Sequence, residues 1–116
     1  MSVRIYHNSR CSKSRGTLEL LQARGIEPEV VNYLDTPPSV AELKTLLRQL
    51  GMEPRQLLRT GEPEYKELAL ADPAMNDEAI LQAMVSHPKL IERPIVVANG
   101  KAVIGRPPEA VLAVLD

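Results

Sequence analysis

Cys11 is the one cysteine of the chain, and its surroundings equip it as a nucleophile. It follows a short apolar stretch, Val3 to His7, and stands at the start of a helical pattern that begins at Ser12. A helix N-terminus presents unbonded N–H groups and about half a positive charge, which stabilise a thiolate and lower its pKa. Arg10, Lys13 and Arg15 lie within four positions of it, and no acid occurs before Glu19. Basic residues in a first turn oppose the helix dipole, and a local rule is most often broken where function demands it. Ser14, one helical turn on, could donate its hydroxyl to the thiolate, and His7 at the strand end is within possible reach. A lone cysteine is more commonly a small buried hydrophobe. Ser9, Arg10, Ser12 and Lys13 suit such burial badly.

Two other places repeat one pattern: Arg93-Pro94 opens a strand and Arg106-Pro107 opens a helix. Arg59 follows Leu57-Leu58 at the end of a short helical turn. Singly, each reads as a solvated surface arginine, and spacing does not bring them together. Gathered by a fold, three planar forks would clamp a tetrahedral oxyanion. His87 and the four Met carry no assigned chemistry.

The elements that must position these groups follow from periodicity and punctuation. Val3–His7 reads as a strand, residues 12 to about 24 as a helix with Leu18 and Leu21 on one face, and Glu29–Leu34 as a second strand. Strand, helix, strand is a βαβ unit whose strands are most simply parallel. After Pro37-Pro38, Ser39 and Glu42 form a capping box for a helix carrying Leu43, Leu46, Leu47 and Leu50. Short helical turns follow from Pro54 and Pro63, and Asn76 caps a helix that turns Ile80, Leu81 and Met84 inward. Residues 38–90 are therefore expected to be helical throughout. The strand Ile95–Ala98, the hairpin signal Asn99-Gly100 and the strand Ala102–Ile104 restore the sheet, and a last helix buries Ala110, Val111, Val114 and Leu115. The order predicts an α/β class: a small mixed sheet flanked by helices, with residues 1–116 in a single domain.

Composition narrows the function. The 116 residues are 44% hydrophobic and 25% charged, an ordinary globular balance for one domain. Fourteen Lys and Arg against fifteen Asp and Glu leave a net charge of −1, which removes the whole-molecule electrostatic case for nucleic acid or an anionic membrane. Three Tyr with no Trp or Phe supply no stacking platform for single strands. One cysteine excludes an internal disulfide and, with two His, supplies a metal site poorly, so no bound metal or cofactor is expected. No run long enough to span a membrane and no signal-peptide core are evident, so a cytoplasmic location is expected.

Five segments, taken in order, carry a resemblance: Tyr6-His7-Asn8, Cys11-Ser12-Lys13-Ser14-Arg15, Leu57-Leu58-Arg59, Arg93-Pro94-Ile95-Val96-Val97 and Gly105-Arg106-Pro107. Together they resemble the glutaredoxin-dependent arsenate reductases, over nearly the whole chain. Cys-Ser-Lys-Ser-Arg and Gly-Arg-Pro-Pro-Glu look more like a housekeeping branch of that family than like resistance-operon enzymes. The resemblance implies a thioredoxin-like fold with a helical insertion, with Pro94 as the cis-proline beside the active cysteine. It implies Cys11 as nucleophile, Arg59, Arg93 and Arg106 as arsenate ligands, and His7 and Ser14 as thiolate-activating neighbours. It further implies glutathione as co-substrate and glutaredoxin as partner.

Two other functions stay open. A glutathione-linked thiol oxidoreductase would keep the thiol and change the substrate. A redox regulator that binds RNA polymerase is a third reading. Such regulators use Cys-x-x-Cys, and here the second position is Ser14.

Overall fold

The computed structural model describes residues 2–115, and the chain divides into two compact units. One comprises residues up to 36 together with 93 onward; the other is residues 37–92.

The first unit is the sheet. Its strands are β1 (Val3–His7), β2 (Glu29–Asn32), β3 (Ile95–Ala98) and β4 (Lys101–Ile104), in the order β2-β1-β3-β4. β1 runs parallel to β2, with Ile5 opposite Val30 and His7 opposite Asn32. β1–β3 and β3–β4 are antiparallel, with Ile5 opposite Val96 and Val96 opposite Val103. The parallel pair needs a crossover, which α1 (Ser12–Ala23) supplies. The antiparallel pair needs only a tight turn. Asn99 and Gly100 both take positive φ, 56° and 74°, as a two-residue turn of right twist requires. This is an α/β fold with a mixed four-stranded sheet.

Alternation sets the core. Val3 and Ile5 of β1, Val96 and Ala98 of β3, and Leu21 of α1 are buried with Val111, Val114 and Leu115. Burial of each large aliphatic side chain stabilises the unit by about 1.5–3 kcal/mol. The C-terminal element differs from the helix expected: Pro108–Val114 is a 3-10 helix. It still buries Val111 and Val114, and the Asn99 side chain donates to the Val114 carbonyl at 3.1 Å. β2 ends at Asn32, short of Leu34, because Asp35 and Thr36 turn their N–H groups onto the Asn32 carbonyl.

The second unit holds α2 (Val40–Leu50), α3 (Pro54–Leu57), α4 (Pro63–Glu67) and α5 (Asp77–Ser86). α5 packs against α2 and α3, with Ile80, Leu81 and Met84 buried. Ser39 accepts from the Glu42 N–H, which is half of the expected capping box. A second capping contact, from the Glu53 N–H to the Gln56 side chain at 2.7 Å at the start of α3, was not visible in the sequence pattern. The unit is also not helical throughout. Leu58 is extended and bridges Ile91, the Arg59 N–H donates to the Leu90 carbonyl at 2.8 Å, and the Glu92 N–H donates to the Leu57 carbonyl at 2.9 Å. No helix among the described residues is long and apolar enough to cross a membrane.

Candidate active site

Within the sheet unit, β1 delivers the chain to a tight turn and α1 begins immediately after it. The Cys11 N–H donates to the Asn8 carbonyl at 3.0 Å, and the Arg10 N–H donates to the Asn8 side chain at 3.0 Å. The turn leaves Cys11 as the N-cap residue of α1, in extended conformation and half-buried. Its own carbonyl accepts from the Arg15 N–H, so the helix grows directly from the cysteine. No acid occupies the first turn.

Burial, the largest single influence on the Cys11 thiol, pushes its pKa up. The Ser14 N–H, the Arg93 guanidinium and the Lys13 N–H oppose it, and their sum holds the thiol below its ordinary value. The Cys11 side chain makes no cap hydrogen bond, so the first-turn N–H groups act on the thiol through their electrostatics.

Arg93 and Arg106 meet at this cysteine. The Arg106 Nη2 lies 3.5 Å from the Cys11 Sγ, and its Nε donates to the Arg93 carbonyl at 2.7 Å. The peptide bonds Arg93-Pro94 and Arg106-Pro107 are both cis. The Pro94 carbonyl accepts from the Gly105 N–H at 2.9 Å, which ties the two arginine segments together. Gly105 is needed there. A Cβ on it would stand 2.6 Å from the Thr17 hydroxyl and 3.0 Å from the Pro94 ring. Thr17, fully buried in α1, donates to the Lys13 carbonyl at 2.8 Å. Its part in seating the arginine loop had no signal in the sequence beyond the adjacent glycine.

His7 and Ser14 are brought together, but with each other. The Ser14 Oγ lies 2.6 Å from the His7 Nδ1 and accepts from the Asn8 N–H at 3.0 Å. Both side chains are buried. The direction of the Ser14–His7 bond follows the imidazole tautomer, and the hydroxyl is engaged by both Asn8 and His7. Burial first and the nearby Arg15 charge second push the His7 pKa down, which favours the neutral imidazole. The expected bond from the Ser14 hydroxyl to the thiolate is therefore replaced: the hydroxyl is spent on His7 and Asn8, and the Ser14 N–H favours the thiolate electrostatically.

Arg59 belongs to the other unit. Its Nη1 pairs with the Glu92 carboxylate at 2.8 Å, and its Nε lies 3.9 Å from Glu62. The Glu92 carboxylate holds its guanidinium, with Glu62 at longer range, while the Leu90 carbonyl and the Leu58–Ile91 bridge fix its backbone. Among the described residues no group of three or more His, Cys, Asp or Glu side chains is gathered to hold a metal ion.

A thioredoxin-like sheet with a thiol at a helix N-terminus and two arginines upon it defines the class. The ArsC family model matches residues 6–114, and the chain belongs to that family. It is 62% identical over 114 residues to the uncharacterized protein YfgD of Escherichia coli (strain K12), covering 97% of this chain and 96% of that one. It is 53% identical over 114 residues to an arsenate reductase of Neisseria meningitidis, covering 97% of each. Among solved structures, an arsenate reductase from Vibrio cholerae superimposes with a TM-score of 0.97 at 59% identity, over 99% of this chain and 98% of that one.

Proposed function

We propose that the protein reduces arsenate to arsenite with Cys11 as nucleophile, glutathione as reductant and glutaredoxin as the partner that regenerates the thiol. The observation that carries this reading is the half-buried Cys11 Sγ with the Arg106 fork 3.5 Å away, on a helix N-terminus. An arginine fork beside a lowered-pKa thiol suits a substrate that is both an electrophile and an oxyanion.

The chemistry follows from those groups. The Cys11 thiolate attacks arsenic(V), and one oxygen leaves as water after protonation. Arg93 and Arg106 neutralise charge on the remaining oxygens, with Arg59 as the third fork. A glutathione thiolate then attacks the Cys11 sulfur. The sulfur–arsenic bond breaks, its electron pair stays on arsenic, and arsenite departs as arsenic(III). Two thiols have lost two electrons and form the Cys11–glutathione disulfide. Cys11 is the chain's one cysteine, so no second protein thiol can resolve the adduct internally. Glutaredoxin exchanges with the mixed disulfide and frees Cys11. The single domain and the cytoplasmic setting, where glutathione is reduced, belong to this same reading.

The test is arsenate turnover by the wild type, Cys11→Ser and Arg93→Lys proteins with glutathione and glutaredoxin supplied. Loss of all turnover in Cys11→Ser is expected. Arg93→Lys should lower kcat/KM about tenfold or more, because an ammonium cannot replace a planar fork. Full activity in Cys11→Ser would overturn the proposal.

A further inference from the structure

On the sheet unit a polar cleft of about 280 Å³ opens at the carboxyl ends of the parallel strands β1 and β2. Such strand ends are where open α/β sheets take their ligands. The turn after β1 contributes Asn8 and Arg10 to its lining, and the end of β2 and the turn after it contribute Asn32, Leu34 and Asp35. Arg10 immediately precedes the nucleophile, so the cleft shares its wall with the Cys11 turn.

The charges of this cleft are its distinguishing feature. Arg10 and Asp35 are both exposed, and neither forms an ion pair with any described residue. A cation and an anion line one cleft without neutralising each other. An anion such as arsenate would meet Asp35, and a simple cation would meet Arg10. A group carrying an ammonium and a carboxylate on one carbon satisfies both, with the Asn8 and Asn32 amides as further hydrogen-bond partners.

We infer that this cleft binds the zwitterionic γ-glutamyl end of glutathione, its carboxylate toward Arg10 and its ammonium toward Asp35, while the glutathione sulfur meets Cys11. The inference rests on the reading of glutathione as the thiol co-substrate. It assigns that molecule a subsite apart from the arginines that face the Cys11 sulfur. The glycyl end of glutathione carries a carboxylate alone and does not match Asp35. A small thiol without the amino-acid group would lose both contacts.

Disulfide exchange tests this without arsenate. The Cys11 thiolate attacks one sulfur of oxidised glutathione, the sulfur–sulfur bond breaks, one glutathione thiolate leaves, and the Cys11 mixed disulfide forms with no net redox change. The rate is compared with that for 2-hydroxyethyl disulfide, which lacks charged groups, in the wild type, Arg10→Gln and Asp35→Asn proteins. The wild type should favour oxidised glutathione. Each variant should lose about fivefold or more of that preference, read as the ratio of the two rates so that any common change in thiol reactivity cancels.

Asp35→Asn is the decisive variant. Glutathione disulfide is net negative, so removing an acid would speed the reaction if only general electrostatics acted; the cleft predicts that it slows. A disulfide of glutathione lacking the α-amino group should be insensitive to Asp35→Asn. An unchanged or increased rate of Asp35→Asn with oxidised glutathione would overturn the inference. Failure of arsenate turnover, measured separately, would overturn the reductase reading and leave the cleft's selectivity standing on its own result.

Discussion

At the scale of single residues, the thiol is governed by donors rather than by a neighbouring base. Two backbone N–H groups and Arg93 lower its pKa against the opposing effect of burial. The alkylation rate of Cys11 should therefore reach half its plateau at a pH below the ordinary thiol value. Arg93→Ala should move that midpoint upward, as read by iodoacetamide kinetics against pH. An unchanged midpoint would deny the arginine any electrostatic role. His7 makes a separate prediction. Its pKa is lowered in the folded protein, so the folded state resists its protonation. The sign is fixed by that direction: stability is full above the ordinary imidazole value and falls as the pH drops through the lowered one. Thermal unfolding followed between about pH 5 and 8 should show the wild type losing Tm toward acid. His7→Asn, which can still hydrogen-bond the Ser14 hydroxyl, should show a flatter profile. The identities of Cys11, His7 and Ser14 were legible in the sequence. The partner of the Ser14 hydroxyl was not, because spacing alone does not tell whether a side chain one turn on faces the sulfur or the strand beneath it.

At the scale of elements, the arginine loop is seated by a contact between distant segments. Gly105 approaches Thr17 so closely that a methyl group would stand 2.6 Å from its hydroxyl. Gly105→Ala should cost about 1–3 kcal/mol, typical of overpacking, and should slow Cys11 alkylation by displacing Arg106. Gly105→Ala paired with Thr17→Ala should recover most of the loss in unfolding experiments. A fully stable, fully reactive Gly105→Ala protein would show that the approach is dispensable. Strands β1 and β3, the Asn99-Gly100 turn and the inward faces of α2 and α5 could be read directly, since period and turn chemistry agree in each. The last element could not. Its apolar spacing suits a helix, but after two prolines the short segment tightens into 3-10 geometry. The Leu58–Ile91 bridge also escaped, because pairing between residues far apart in sequence leaves no local pattern. Arg55 was missed for the same reason: it donates to the Leu70, Asp72 and Met75 carbonyls and holds the loop before α5.

At the scale of the whole molecule, two compact units divide the proposed chemistry. The sheet unit carries Cys11, Arg93 and Arg106; the helical unit carries Arg59, held by Glu62 and Glu92. Under the proposed function Arg59 serves substrate binding and not the making of the thiolate. Arg59→Ala should raise the KM for arsenate about tenfold, the worth of a charged hydrogen-bonding partner, while Cys11 alkylation changes less than about twofold. Equal loss in both assays would assign Arg59 to the fold instead. The most direct test of the central claim is arsenate-dependent NADPH oxidation coupled through glutathione reductase, glutathione and glutaredoxin, with each component omitted in turn and with Cys11→Ser in parallel. The account predicts turnover only when arsenate, glutathione, glutaredoxin and Cys11 are all present. Turnover that survives the loss of Cys11, or its absence from the complete mixture while Cys11 still alkylates rapidly at neutral pH, would contradict it.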